Sequence, residues 1–524
     1  MTQIALNVTP DEIKTLGYQK VENRKTDELI FAFVEPMSGG AKKALTNLKE
    51  ILESPPFSYK INEILTRDIL EDEKKNKNIQ ECDYPPGDIL KHENAKSIYR
   101  LQQWGNILRR RFGNDYLAKQ IIRKIAKYRQ SYGYEAASST AVSVPKPLRV
   151  AHLVRSLKHE AELQLLKTVY GNMLFVLAVS TDYENRFKNY FPAQSPEQEK
   201  KDMRREFDYL SSIDQDDGNE YGQRVRKVFY QADIFLNGSI ELEKELRRFI
   251  NILFDQYIYV PRHDECMMHS AFTASMMSTC LSRQVGAAIS NENHELLSIG
   301  WNDIPRYGGG LASEEGDDLE REALCKTKGK CNSNKKIKEL VSNIYEKLHD
   351  NAIIKRVSKE KFSSILFETS LTNLIEFSRS IHAEMEAILS VAREGKSGLR
   401  GASLYVTTYP CENCVKHILA CGISRVFYIE PYPKSRAHEF FGEFVYNDSK
   451  DSKELKGKKL ELIQYVGVSP RSFLFLYKTR ERKDKDGNLI HRNNAPWPKT
   501  NVFLDGFTIY EAKIASEVID NERK

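Results

Sequence analysis

One spacing constrains this chain more than any other. Ile381-His382-Ala383-Glu384 is followed, after room for one helix and one strand, by Pro410-Cys411-Glu412-Asn413-Cys414. One imidazole and two thiolates make three protein ligands for a tetrahedral zinc ion and leave the fourth position open for water. Cysteines three apart at the start of a helix can face one ion, and Pro410 suits the entry to that helix. The helix N-terminus also favours the thiolate state that the ion needs. Glu384, two residues past His382, reaches the site without being a ligand, where a carboxylate can take a proton from water and return it to a substrate. A purely structural zinc closes with a fourth Cys or His. Cys421 is the one nearby candidate, about two turns past Cys414 on the same helix, an awkward geometry for closure.

The rest of the pattern is α/β. Leu29 to Val34 is an apolar run of strand length, ended by Pro36 and Gly39-Gly40 and followed by helical spacing from Ala41 to Leu52. Leu148 to Leu153 and Met173 to Val179 are strand-like, with a helical pattern from Glu160 to Val169 between them. Asp233 to Leu236 reads as a last short strand, with a helix from Ile240 to Phe254. Fully apolar strands alternating with helices point to a parallel sheet covered on both faces. Polar loops and two helices, Ala95 to Phe112 and Ala118 to Tyr128, interrupt this pattern between Ile61 and Tyr134.

A second organisation begins near residue 255. It has a Met- and Ala-rich helix running to Cys280, strands at Val285 to Ser290 and Leu296 to Gly300, and an apparent inserted loop over 306–335. Beyond it lie the helix from His382, a strand at Ala402 to Thr407, the helix from Cys411 and a strand at Arg425 to Ile429. The expected division is therefore 1–255 and 256–524, the latter including a C-terminal extension.

Composition narrows the function classes. Apolar residues at 40% and charged residues at 29% suit a soluble globular chain. No run approaches about 18 apolar residues, so no membrane partner is expected. The start Met1-Thr2-Gln3-Ile4-Ala5 shows no secretory signal, and cytoplasmic localisation is the expectation. Seventy-nine basic against 73 acidic residues give a net charge of +6, which argues against nucleic acid as the main partner and against an editing enzyme with a basic single-strand channel. Eight cysteines are too sparse for a disulfide framework.

The zinc motif matches the His-x-Glu … Pro-Cys-x-x-Cys signature of zinc-dependent nucleobase deaminases. Further stretches resemble the deoxycytidylate deaminase family: Cys280-Leu281-Ser282-Arg283-Gln284-Val285-Gly286-Ala287-Ala288-Ile289, Ser298-Ile299-Gly300-Trp301-Asn302-Asp303, His382-Ala383-Glu384-Met385-Glu386-Ala387-Ile388-Leu389 and Tyr405-Val406-Thr407-Thr408-Tyr409-Pro410-Cys411. The resemblance covers roughly residues 262 to 440. It implies a three-layer α/β/α fold, Zn²⁺ held by His382, Cys411 and Cys414, and Glu384 as the catalytic acid and base. It also implies that Asn302 meets the deoxyribose hydroxyl, that the Ala383 amide meets the pyrimidine carbonyl, and that Tyr432, after the last sheet strand, binds the substrate. A homo-oligomer is the usual state of this type.

Arg283 and Lys434 are basic residues that could meet phosphate, although a single basic residue is more often a solvated charge. One departure from the family is Asp303 in place of Gly, a carboxylate expected near a site for an anionic nucleotide. Some members carry a second, structural zinc on thiols, for which Cys280, Cys325 and Cys331 are candidates; free thiols in a basic loop are the plainer reading, since no fourth ligand is evident.

In the first half, Glu35-Pro36-Met37-Ser38-Gly39-Gly40-Ala41-Lys42 has the strand-to-helix context of a phosphate-binding loop. In one register Glu35 replaces the first Gly and Ala41 the Lys. In the other Lys42 fits, but Pro36 and Ala41 replace both glycines, and neither leaves Ser or Thr for Mg²⁺. The chain resembles P-loop nucleotide kinases around Leu153 to Glu162, Val179 to Arg186 and Gln231 to Ser239, so a kinase-like domain with a degenerate loop (Gly39, Gly40, Lys42) and no phosphoryl transfer is expected.

Joined to a deaminase, this domain resembles bacterial anti-phage dCTP deaminases. The resemblance implies conversion of a free deoxycytidine nucleotide, dCTP or dCMP, to the uracil nucleotide, starving phage replication. The alternatives are a housekeeping dCMP deaminase of pyrimidine salvage and a non-catalytic nucleotide-sensing protein.

Overall fold

The computed structural model describes residues 25–523 except 77, 80–84, 86–88, 133, 137–142, 146, 191–196, 355–356, 368, 370, 372–373, 431–435, 448–454, 456, 479–480 and 491–495. Two compact units make up the chain: Met1–Pro261 with Val466–Lys524, and Arg262–Tyr465.

The first unit is built on apolar strands. β1 (Leu29–Val34) is buried along its whole length. α1 (Ala41–Glu53) follows, then β2 (Lys60–Leu65), β3 (Val150–Arg155), α2 (Glu160–Tyr170), β4 (Leu174–Ser180), β5 (Ile234–Asn237) and α3 (Leu242–Leu253). The sheet order is β5-β4-β1-β3-β2, with every one of these neighbours parallel. Side chains alternate across the strands. Leu29, Phe31 and Phe33 join Ala44, Leu48 and Ile51 of α1 and Leu246, Phe249 and Ile250 of α3 in one core. On the other face, His152 of β3 meets Tyr128 of helix Tyr116–Ser131 edge-on, with ring centroids 5.7 Å apart. β1 is central and the chain crosses from β3 to β4 over it, so the crevice at its carboxyl end is the expected ligand position of such a sheet. The Glu35–Gly40 loop lies there.

Two sequence expectations change here. The 61–134 stretch opens with β2, an edge strand whose Lys60, Asn62 and Glu63 kept it from reading as one. The C-terminal extension does not belong with the zinc motif: Gly467–Val468 pairs antiparallel with β5, and Ser469 donates to the Asp233 carbonyl at 2.9 Å. Helix Leu504–Arg523 packs on helix Tyr116–Ser131, where Glu511 and Glu28 flank Arg129, all three nearly fully buried. The boundary expected at 255 falls at Pro261, and residues 466–524 return to the first unit.

The second unit contains α4 (His263–Ser275), β6 (Gly286–Ser290), β7 (Leu296–Trp301), α5 (Ala383–Arg393), β8 (Ser403–Val406), α6 (Glu412–Ala420), β9 (Arg425–Tyr428), β10 (Val445–Asn447) and β11 (Leu460–Gln464). The sheet runs β7-β6-β8-β9-β11-β10, antiparallel at β7-β6-β8 and parallel beyond. Ala287, Ile289, Leu404, Val406 and Val426 pack with Ala383, Ala387, Val415 and Ile418 of α5 and α6. The alternate residue Gly286 faces α4: a Cβ there would lie 1.9 Å from the Ala271 carbonyl oxygen. Helices on both faces give the α/β/α layering.

α4 stops at Ser275, short of the expected Cys280. The expected loop at 306–335 instead carries helices Asp318–Ala323, Cys325–Lys328 and the start of Asn332–Asp350. That last helix buries only Ile337 and Val341, too narrow a stripe to stand out among its lysines. Among the described residues, no helix is long and apolar enough to cross a membrane.

Candidate metal and nucleotide site

His382 and Cys411 hold equivalent positions. Each is the N-cap residue of its helix, α5 and α6 respectively, and neither side chain makes a capping hydrogen bond. Instead they turn to one another. His382 Nδ1 lies 3.4 Å from Cys411 Sγ and 3.4 Å from Cys414 Sγ. Nitrogen and sulfur ligands on one tetrahedral zinc stand about 3.6 Å apart, so this donor set fits the ion. Among the described residues, these three form the one group of possible ligands whose donor atoms all lie within 4.8 Å of each other.

The proton arrangement fits as well. A hydrogen bond from Cys414, together with His382, draws the Cys411 thiol down to about 4 against the opposing effect of burial. The bond to Cys411 pushes His382 up to about 9. Cys414 is held well above the usual thiol value by its bond to Cys411 and by burial. These shifts favour a thiolate at Cys411, and a bound cation would displace the protons held by the other donors.

Glu384 is the second residue of α5, 3% exposed, and burial raises its carboxyl above the usual value. α5 comes this close to the sheet because Gly300 of β7 has no side chain; a Cβ there would lie 2.4 Å from the Ala387 nitrogen and 2.5 Å from the Ala383 carbonyl oxygen.

His382, Ala383, Glu384, Cys411 and Asn302 line one cavity of about 410 Å³, within the range that holds small organic ligands. Asn302 is 8% exposed, and its amide is largely committed: Oδ1 accepts from the Val285 amide at 2.7 Å, and Nδ2 donates to the Arg283 carbonyl at 2.8 Å. Asp303, expected to place charge in the site, is fully buried and turned away. Its carboxylate accepts from the Thr279 amide and hydroxyl at 2.7 and 3.0 Å and from the Ile304 amide at 2.8 Å. Its carbonyl accepts from Ile381 at 2.9 Å, which fixes the entry to His382.

Cys280, Cys325 and Cys331 line the same cavity but do not gather as metal ligands. Cys325 packs with Ile304, Ala312 and Leu324, and the Cys331 sulfur lies 3.2 Å from the Ser282 hydroxyl. Tyr432 and Lys434 lie outside the described residues. Sequence reasoning missed Glu430, whose buried carboxylate also lines the cavity.

The family model described as cytidine and deoxycytidylate deaminase zinc-binding region matches residues 261–430. Deoxycytidylate deaminase of Enterobacteria phage T4 is 30% identical over 173 residues, covering 32% of this chain and 79% of the phage protein. The chain belongs to the cytidine and deoxycytidylate deaminase family. Deoxycytidylate deaminase of Enterobacteria phage T2 is 33% identical over 170 residues, 32% of this chain and 81% of the relative. A solved structure, the dCMP deaminase from the cyanophage S-TIM5 in complex with dCMP and dUMP, is 19% identical with a TM-score of 0.21, covering 40% of this chain and 99% of its own, a likeness too distant to bear on function. The family makes this chain a zinc-dependent deaminase, and the His/Cys/Cys group is where the structure can hold the ion.

The Gly39-Gly40 loop presents a different picture. Ser38 and Gly40 have positive φ, and Gly40 lies against Gly238, where a Cβ would meet its Cα at 3.0 Å. Two amides here are taken by carboxylates: Glu35 Oε2 accepts from the Ala41 amide at 2.8 Å, and Asp214 Oδ2 from the Met37 amide at 2.8 Å. Lys42, the expected loop lysine, is exposed. Lys158 takes the inner position instead, donating to Asp214 at 2.7 Å and to the Glu35 carbonyl at 3.1 Å. Arg186 donates to the Met37 carbonyl at 3.0 Å.

Proposed function

We propose that this chain deaminates free deoxycytidine nucleotides by hydrolysis, taking dCTP and also dCMP, and that the loss of dCTP serves defence against phage. The observation that carries the chemistry is the His382, Cys411 and Cys414 group sharing a cavity with buried Glu384. Zinc, when bound, supplies a Lewis acid that lowers the pKa of water. Glu384 is the proton carrier: burial favours its protonated form, so it can take one proton from water and deliver it to N3, then take a second from the new C4 hydroxyl and deliver it to the departing amino group. A C–O bond forms at C4, the C–N bond breaks, and ammonia leaves. The Ala383 amide, at the first position of α5, is assigned to the pyrimidine carbonyl and Asn302 to the sugar edge, and Tyr432 keeps the substrate-binding role that the family resemblance implies.

The first unit is proposed as a P-loop kinase-like fold without catalysis. Its central β1, the loop that follows and the two carboxylates on that loop's amides support this reading. Self-association and a cytoplasmic setting, where free nucleotides are found, complete the proposal.

The test is Glu384→Gln in the zinc-loaded chain. Ammonia release from dCTP and dCMP should fall by about 10³-fold or more with zinc content unchanged. Undiminished turnover refutes the assignment. A second reading, dCMP deamination alone, is favoured by the named activity of the T4 and T2 relatives. Activity on dCMP with none on dCTP selects it, and unchanged phage protection by Glu384→Gln in cells refutes defence through deamination.

A further inference from the structure

A nucleotide differs from its nucleoside only by phosphate, and the cavity wall carries several carboxylates. Glu384, Glu412 and Glu430 all line it, so an anionic substrate needs a cation to enter. Besides His382, the cationic side chains lining it among the described residues are Arg283 and Arg379. Arg379 is on the exposed rim, with a bond to the Ala323 carbonyl at 3.4 Å.

Arg283 is built in more firmly. Its side chain is 46% exposed, and its Nη2 lies 3.1 Å from Glu430 Oε1, whose side chain is 4% exposed. The other oxygen, Glu430 Oε2, accepts from the Tyr409 amide at 3.4 Å, two residues before Cys411. The backbone on which Arg283 sits is clipped at both ends by Asn302, through the Arg283 carbonyl and the Val285 amide. A guanidinium has five N–H donors in a rigid fork. One meets Glu430, and among the described residues the others have no protein acceptor.

We propose that Arg283 reads the substrate's 5′-phosphate, and that Glu430 is the positioning residue that aims it by tying it to the turn carrying Cys411. The planar fork matches phosphate, while the base and sugar offer no anion. A buried carboxylate behind the arginine costs desolvation that a structure bears only with a charged partner, which here is Arg283. Asn302 then acts in part through Arg283, by holding its main chain, as well as at the sugar edge. This inference rests on the deaminase reading above and adds which group distinguishes nucleotide from nucleoside.

The experiment uses the full zinc-loaded chain and three compounds: dCTP, dCMP and deoxycytidine. Arg283→Ala should raise KM for both nucleotides by about 30-fold with kcat within about threefold, and leave kcat/KM for deoxycytidine within about twofold. Arg283→Lys should recover only part of the loss, since an ammonium lacks the fork. Glu430→Gln should shift the nucleotide KM in the same direction by about fivefold and spare deoxycytidine. Calorimetry supplies a readout without turnover: dUMP should bind Arg283→Ala about 30-fold more weakly than wild type.

Equal losses on nucleotide and nucleoside, or an unchanged nucleotide KM and dUMP affinity in Arg283→Ala, overturn the proposal and leave deamination standing. A wild-type chain inactive on all three compounds overturns the deaminase reading and this inference with it.

Discussion

Two regions of the molecule start from the same local device, a loop feeding a helix N-terminus, and use it in opposite ways. At α1 two amides are spent on the chain's own carboxylates, Ala41 on Glu35 and Met37 on Asp214. At α5 and α6 the N-cap side chains, His382 and Cys411, decline the capping role and face each other 3.4 Å apart. A helix start is an attractive place for an anion in either case. What separates a working site from a filled one is which polar atoms the fold leaves uncommitted.

The largest test of that contrast is Cys411→Ser. Zinc should fall from one per chain to near none, and deamination by about 10⁴-fold or more, measured by metal analysis alongside ammonia release. If zinc persists, the ligand role of Cys411 is broken. Next comes Gly300→Ala. The added methyl meets the α5 backbone at Ala387 and Ala383, so the helix bearing Glu384 must shift. Activity should drop about 10²-fold, with stability lower by about 2 kcal/mol in thermal unfolding.

On the filled side, Asp214→Ala strips Lys158 and the Met37 amide of a buried partner and should cost about 2 kcal/mol. Glu35→Ala removes the acceptor at the start of α1 and should cost about 1 kcal/mol. The smallest expected effect sharpens the comparison most. Inorganic phosphate at millimolar concentration should leave the melting temperature of the first unit unchanged, because a ligand stabilises only where it finds an open site. A rise of several degrees would show that the loop is not closed.

Much of the candidate site was legible because its chemistry is local. The candidate ligands come from two short motifs, each at a helix start, and Glu384 stands two residues past His382. β1 and α1 were readable for the same reason, being fully apolar and strongly periodic. The rest depended on distant partners. Asp303 read as charge beside the substrate, but its carboxylate finds Thr279 and turns inward. Glu430 gave no signal because its meaning lies in Arg283, far away in the chain. The return of residues 466–524 rests on a two-residue strand and a buried Arg129–Glu511 contact, neither of which leaves a periodic trace. Cys280, Cys325 and Cys331 were candidates only through the family resemblance, and among the described residues they do not gather as a ligand group.

Placing one ligand at the head of each of two helices also has a mechanical outcome. The bridge between His382 and Cys411 is what staples those heads together, since neither has a conventional cap to fall back on. Stripping the metal should therefore loosen the chain first at 383–386 and 412–415, where amide exchange would quicken while β6 and β8 stay protected. A metal held in this cradle would double as a clasp, so the grip on the ion and the firmness of this corner would rise and fall together.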